Sequence, residues 1–245
     1  KYTFSYLAKT NNGVLAVMDI KDNNVDRLKN LHGIISDGVH KVDLIEERIK
    51  TLFMGLVNPE DKKHFENIKS FQDRIISVKI PYVLDYRTEV KIYKNKFGES
   101  ITDCFLPRVL DNLAKLIVAT RLDSETPSIK AWIDQPEKYK FLDRNRFLLK
   151  MEIYSGDTPS WLYEEDIDKL DTQTKKKIIE ESESEGQKGY SGRMSLNVFN
   201  TFYHLYARKN KPITMEMVRE FFAGKVVTDD VTLPEDFIGK LVDLY

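Results

Sequence analysis

The chain has 245 residues, 41% of them apolar, enough for one large core or two smaller ones. Its 38 basic and 39 acidic side chains leave a net charge of -1, which excludes a global field directed at nucleic acid or an anionic membrane. Cys104 is the only cysteine, which excludes an internal disulfide and a cysteine-built metal cage and leads us to expect a reducing compartment, the cytoplasm.

No apolar run approaches the roughly 20 residues that span a bilayer, and Lys1-Tyr2-Thr3-Phe4 has no signal-peptide core, so no membrane partner is expected. A start without Met leads to the expectation of a segment of a longer gene product.

In chain order, Gly13 to Ile20 is a short apolar run entered through Asn11-Asn12-Gly13, the pattern of a buried strand, with Asp19 at its C-terminal end. Val25, Leu28, Leu31 and Ile35 fall at helical spacing. Val39 to Val42 predicts a short strand or hairpin arm, and the apolar run Leu52 to Val57 a second strand ended by Asn58. Pro59-Glu60-Asp61 opens a polar helix, and Ile75 to Ile80 alternates as a third strand stopped by Pro81.

Beyond Pro81 the period becomes helical: Asp85 to Phe97, Leu106 to Leu122, Trp161 to Leu170, Thr174 to Glu183, Arg193 to Arg208 and Met215 to Phe222. Lys150 to Tyr154 reads as a short strand, and Glu180 to Gly192, rich in Glu, Ser and Gly, as a mobile loop. The expected organisation is an α/β region over 1–84 and a helical region over 85–245.

A strand ending in an acid, a later strand ending in Asn, an Asp-Arg pair before a third strand and a helix opening Ser-Gly-Arg together resemble the second half of an AAA ATPase core. Within that group the chain resembles the PrkA serine protein kinase family. The carrying residues are Asn12-Gly13-Val14-Leu15, Asn58-Pro59-Glu60, Phe71-Gln72-Asp73-Arg74-Ile75 and Val78-Lys79-Ile80-Pro81-Tyr82. Downstream, Glu89-Val90-Lys91-Ile92-Tyr93, Lys150 to Tyr154 with Gly156, Glu185-Gly186 and Ser191-Gly192-Arg193 keep the family order. The fold implied is a partial P-loop sheet followed by a mainly α-helical lid and C-terminal region.

The resemblance implies that Asp19 is the acid of the Walker B strand, which polarises the attacking group, and that Asn58 is the sensor that holds it by neutral hydrogen bonds. It implies that Arg74 is an arginine finger reaching the nucleotide of an adjacent subunit, hence a homo-oligomer. Arg193 is then the lid arginine that reads bound phosphate. The implied cofactors are ATP and magnesium, held by the longer parent protein, and a protein substrate or partner is implied as well. Met18 stands where many AAA proteins carry the magnesium-side Asp, and Ala16 replaces an acid of the family pattern.

Read without the pattern, Asp19 is a solvated strand-end acid, Asn58 a turn opener before Pro59, Arg74 an ion-pair partner of Asp73 and Arg193 a helix-end arginine. No Gly-x-x-x-x-Gly-Lys-Ser/Thr loop occurs, so these residues alone are not expected to bind ATP stably. Neither His-Arg-Asp nor Asp-Phe-Gly occurs, so the kinase activity rests on the resemblance.

His32, His40, His64 and His204 are scattered, which predicts no metal site. The Lys175-Lys176-Lys177 cluster runs into Glu180, Glu181 and Glu183, a solvated face rather than a nucleic-acid surface. Two functional readings stand beside each other: an ATP-dependent kinase or ATPase, and a nucleotide-independent regulatory or interaction module with a degenerate site. A DNA-associated helical domain is disfavoured by the balanced charge.

Overall fold

The computed structural model describes residues 6–20, 31, 33–42, 45–58, 61–62, 74–207, 211–224, 231, 233–234 and 236–245, with the side chains of Asp19, Val42 and Pro136 outside that description. The chain divides into two compact units, Lys1–Val78 and Lys79–Tyr245.

The first unit is a small α/β assembly. A one-turn helix, α1 (Tyr6–Lys9), leads into the Asn11-Asn12-Gly13 turn, where Asn12 sits at φ 59, a left-handed conformation that asparagine tolerates better than most residues. The turn fixes the start of β1 (Gly13–Ile20): Asn12 N–H donates to Lys50 O at 2.6 Å, and Lys50 N–H donates to Asn11 Oδ1 at 2.9 Å.

Leu31 and residues 33–37 are helical as expected, while Val25 and Leu28 lie outside the described residues. β2 (Val39–Val42) and β3 (Ile45–Arg48) form an antiparallel hairpin with Val39 opposite Arg48. β4 (Thr51–Val57) then runs parallel to β1, with Gly13 beside Thr51 and Ile20 beside Val57.

The register slips between Val17 and Ile20, and a one-residue slip exchanges the two faces of a strand. Ile20 therefore continues the inward row of Leu15 and Val17, packing against Leu31, Ile35 and Phe53, while Met18 turns outward at 71% exposure. The outward face also carries Val14, Leu52, Met54 and Leu56, an apolar surface of the kind that helices usually cover on a parallel sheet.

The strand expected over Ile75 to Ile80 does not form. Among the described residues they have no ladder partner, and Ile76, Val78 and Ile80 are exposed large apolar side chains. Alternation describes a side-chain pattern; the hydrogen bonds of a strand come from a neighbour that the pattern does not supply. The helix expected from Pro59 lies almost wholly outside the described residues.

The second unit is helical, with α2 (Tyr86–Phe97), α3 (Val109–Ala119), α4 (Pro127–Trp132), α5 (Lys140–Asp143), α6 (Phe147–Tyr154), α7 (Glu164–Asp168), α8 (Thr172–Ser182), α9 (Gly192–Tyr206), α10 (Met215–Ala223) and α11 (Phe237–Asp243). Asp85 caps α2, accepting from Arg87 N–H at 2.9 Å and Thr88 N–H at 3.2 Å, which satisfies two of the amides a helix start leaves open.

α3 is apolar around most of its circumference, and a helix of that kind must be central. It packs against α2, α6, α10 and α11. Phe199 and Phe202 of α9 join this core fully buried, with Tyr93 stacked on Phe199 at 4.4 Å between ring centroids. A second core gathers Ile129, Trp132 and Ile133 with Leu149, Ile153 and Ile178.

The Lys150 to Tyr154 segment, expected as a strand, belongs to helix α6. Leu148 and Met151 of this helix enter the first core, and Leu149 and Ile153 the second. An element buried on two sides is apolar without periodicity, so its sequence does not distinguish helix from strand.

Asp143 anchors the start of α6. Its carboxylate accepts Leu149 N–H at 2.8 Å, it is buried, and its other oxygen has no hydrogen-bond partner among the described residues. Burial pushes this carboxyl up from 3.8 to about 6, against the amides of Leu149, Leu148 and Phe147, which favour the ionised form.

The folded state thus binds this proton more tightly than the unfolded chain does. Its stabilising effect is complete below about pH 4 and is lost as pH rises through about 6. Asp143→Asn keeps an acceptor oxygen and removes the titration. Denaturation at pH 4 and pH 7 should show the variant gaining about 2 to 3 kcal/mol relative to wild type over that interval. Parallel stability curves would show that folding leaves the Asp143 carboxyl at its ordinary pKa.

Candidate functional site

Because β1 and β4 are parallel neighbours, their C-terminal ends open on the same edge of the sheet. Ile20 and Val57 form the last rung, so Asp19 and Asn58 flank it, one just before it on β1 and one just after it on β4. In open parallel sheets, ligands occupy the space beyond the carboxyl ends of adjacent strands. The structure therefore brings the backbones of these two sequence-predicted residues to one edge.

Asn58 is exposed, and its carbonyl accepts Asp61 N–H at 3.0 Å, so it also opens a turn and its side-chain amide faces solvent. Arg74 is exposed, and its Nη1 donates to Ser36 Oγ at 2.6 Å, joining it to the helical segment 33–37 of the same unit. Asp73, the expected ion-pair partner, lies outside the described residues.

Arg193 belongs to the second unit, at the second position of α9, whose cap Ser191 accepts Met194 N–H at 3.2 Å. Its side chain is exposed and, among the described residues, has no ion-pair or hydrogen-bond partner. A cation on the positive end of a helix is repelled by the aligned amides, and an anion bound there relieves that repulsion.

Among the described residues no group of three or more His, Cys, Asp or Glu converges as a metal cage. A magnesium ion carried by a nucleotide needs only one or two protein carboxylates beside phosphate and water, and one strand-end acid fits that requirement in part. Among the described residues no helix is long and apolar enough to cross a membrane.

The family motifs whose role the sequence left open converge within the second unit. Arg121, 1% exposed, forms a two-pronged pair with Glu89, also 1% exposed: Nη1 to Oε2 at 2.8 Å and Nη2 to Oε1 at 3.4 Å. Its Nε donates to Tyr190 O at 2.7 Å and its Nη1 to Val83 O at 2.7 Å. Buried Ser195 donates to Glu89 Oε1 and lies 2.8 Å from the Tyr93 hydroxyl. Burial, and then the charge of Glu89, pushes the Tyr93 hydroxyl well above its usual range, so it remains protonated and available as a donor.

A second buried pair lies beside the first. Lys150, with no exposed surface, donates to Glu185 Oε1 at 2.5 Å and to Asp123 O, and Thr126 Oγ1 donates to the same Glu185 oxygen at 3.2 Å. Burial lowers the Lys150 pKa, and Glu185 opposes that shift.

The segment expected as a mobile loop is accordingly fastened: Glu185 and Tyr190 are buried, Gly186 N–H donates to Arg121 O at 3.1 Å and Tyr82 N–H to Gly186 O at 2.9 Å. Its Glu185 side chain is the partner of buried Lys150, and its Tyr190 carbonyl accepts from buried Arg121. The available signal was a charge set inside an apolar run, as in Leu148-Leu149-Lys150-Met151, where a buried cation requires a buried anion.

Two family profiles match the chain: the PrkA AAA domain over residues 2–128 and the PrkA serine protein kinase C-terminal domain over residues 148–240. Comparison with curated proteins and with solved structures gives no match. The first profile spans more than half of the chain and the second most of the remainder; of the buried pairs Arg121–Glu89 and Lys150–Glu185, the residues Glu89, Lys150 and Glu185 lie in the family-like segments Glu89–Tyr93, Lys150–Tyr154 and Glu185-Gly186. The chain belongs to the PrkA family, with an AAA-type α/β region followed by the family's helical C-terminal domain.

Proposed function

We propose that this chain forms part of an ATP-dependent serine protein kinase or ATPase of the AAA type, acting as a homo-oligomer in the cytoplasm on a protein substrate. The observation that carries the reading is the parallel β1/β4 pair, with Asp19 and Asn58 flanking its last rung. Asp19 accepts the proton of the attacking hydroxyl or water as its oxygen bonds to phosphorus and the bond to the leaving diphosphate breaks. Asn58 orients that oxygen through its side-chain amide, without adding a repelling charge.

Arg74 places its guanidinium on the developing phosphoryl charge of a neighbouring subunit's nucleotide, and Arg193 binds phosphate. ATP with magnesium supplies the phosphoryl group and neutralises part of its charge. The Gly-Lys-Ser/Thr loop that cradles phosphate is not among these 245 residues, so on this reading they do not hold ATP stably by themselves.

A second reading, a nucleotide-independent regulatory module, draws on Met18, apolar and exposed where a magnesium-side acid is usual. ATP turnover by the intact gene product separates the two. Asp19→Ala and Arg74→Ala should each lose about a thousandfold or more in kcat, the scale of a missing arginine finger. Mixing the two inactive variants should restore part of the activity if Arg74 acts across subunits. Wild-type turnover in both variants would remove these residues from the site, and absence of turnover in the wild-type protein would leave the nucleotide-independent reading.

A further inference from the structure

The loop that leads into α9 carries an unusual density of buried polar fastenings for an eight-residue connection. Between the end of α8 at Ser182 and the cap at Ser191, Glu185 is held by Lys150, Gly186 by Arg121 O, Tyr190 O by Arg121 Nε and Tyr190 N–H by Thr120 Oγ1 at 3.1 Å. The first turn of α9 is held from its inner side as well, where Ser195 meets Glu89 and Tyr93 of α2. Arg193 sits between these two anchorages, two residues after Ser191 and two before Ser195, and points into solvent.

Arg121 is the common member. The same guanidinium that holds Tyr190 O holds Val83 O, while Gly186 O accepts Tyr82 N–H. Tyr82 and Val83 lie a few residues after the start of the second unit at Lys79. One fork therefore fixes the backbone on which the chain enters this unit, the loop before α9 and, through Glu89 and Ser195, the first turn of α9.

We infer that the Arg121–Glu89–Ser195 array is a positioning device for Arg193, setting its place relative to the Tyr82–Val83 backbone and so governing how well it meets phosphate. This rests on the proposed role of Arg193. Displacement of the Tyr82–Val83 backbone would be transmitted to Arg193 through one bidentate pair, and a loosened array would weaken phosphate binding without touching the reacting atoms. Arg121, Glu89 and Ser195 are positioning residues in this scheme.

The test is a double-mutant cycle on the KM for ATP of the intact gene product. Arg193→Ala should raise KM about tenfold or more, as expected for loss of a charge-assisted hydrogen bond. Ser195→Ala, which deletes one oxygen, should raise KM about threefold to tenfold with kcat within about twofold, and should add almost nothing in the Arg193→Ala background. Tyr93→Phe, which deletes the hydroxyl beside Ser195, carries the same expectation should Ser195→Ala fail to fold.

An unchanged KM in Ser195→Ala, or effects that multiply in the double variant, would overturn the positioning role while leaving Arg193 in the site. A wild-type KM in Arg193→Ala would overturn both the positioning role and the assignment of Arg193.

Discussion

Replacing Glu89 with alanine should destabilise the second unit by about 3 to 5 kcal/mol, the cost of leaving one member of a buried ion pair without its partner. Arg121 would keep its bonds to Tyr190 O and Val83 O, but both of those partners are neutral carbonyls, and its charge would remain at 1% exposure with no anion against it. Both tryptophans, Trp132 and Trp161, lie in this unit, so urea unfolding followed by their fluorescence reports its stability separately from that of the first.

The combined replacement Glu89→Leu with Arg121→Met should recover a large part of the loss, because a well-packed apolar pair has no desolvation cost to offset. If Glu89→Ala cost less than about 1 kcal/mol, the range of a solvent-exposed pair, water would have to reach the guanidinium.

Gly189→Ala should be comparably disruptive for a different reason. Gly189 has φ +78, a conformation that costs an L residue about 1 to 2 kcal/mol, and a Cβ built there would lie 2.3 Å from Thr120 O. The obstacle is backbone at the end of α3, which cannot swing aside as a side-chain tip can. With an overpacking cost of about 1 to 3 kcal/mol added, the variant should lose roughly 2 to 5 kcal/mol.

Amide exchange should locate the damage between Gly186 and Tyr190 and at Arg121, whose hydrogen bonds share that contact. Gly156→Ala is the internal control: φ is +87, but nothing lies within 4 Å of a built Cβ, so only the conformational cost remains. Equal losses at the two positions would show that the contact with Thr120 is relieved elsewhere.

The parts of this fold that could be read from the sequence are those in which the local pattern lies within one element, although among the described side chains β1, expected as a buried strand, buries only Ile20. Gly13 to Ile20 and Leu52 to Val57 are strands because each is apolar, short and bounded by turn residues, and the helices from Asp85, Arg193 and Met215 follow from capping residues and a one-sided apolar face. Periodicity failed at α6 because both of its faces are buried. At Ile75 to Ile80 it described a strand without the partner that would make one.

Of the candidate site, the placement of two residues was legible. Strand order placed Asp19 and Asn58 at the ends of β1 and β4, and the parallel register puts those ends on one edge. Arg121 was not legible, because its function in the fold depends on Glu89, Tyr190 and Val83, which are 32, 69 and 38 residues away. A long-range polar array leaves a trace in sequence only as charges embedded in apolar runs, and that trace does not say which charge meets which.

The most direct test of the central claim is photolabelling of the intact gene product with ATP that carries a photoreactive group on its γ-phosphate, followed by peptide mapping. The label should fall on peptides containing the C-terminal ends of β1 and β4, around Asp19 and Asn58, and an excess of unmodified ATP should abolish it. Competable labelling confined to other surfaces, such as the cleft of about 400 Å³ lined by Asp143, Arg144 and Lys240, would contradict a nucleotide site at the strand ends.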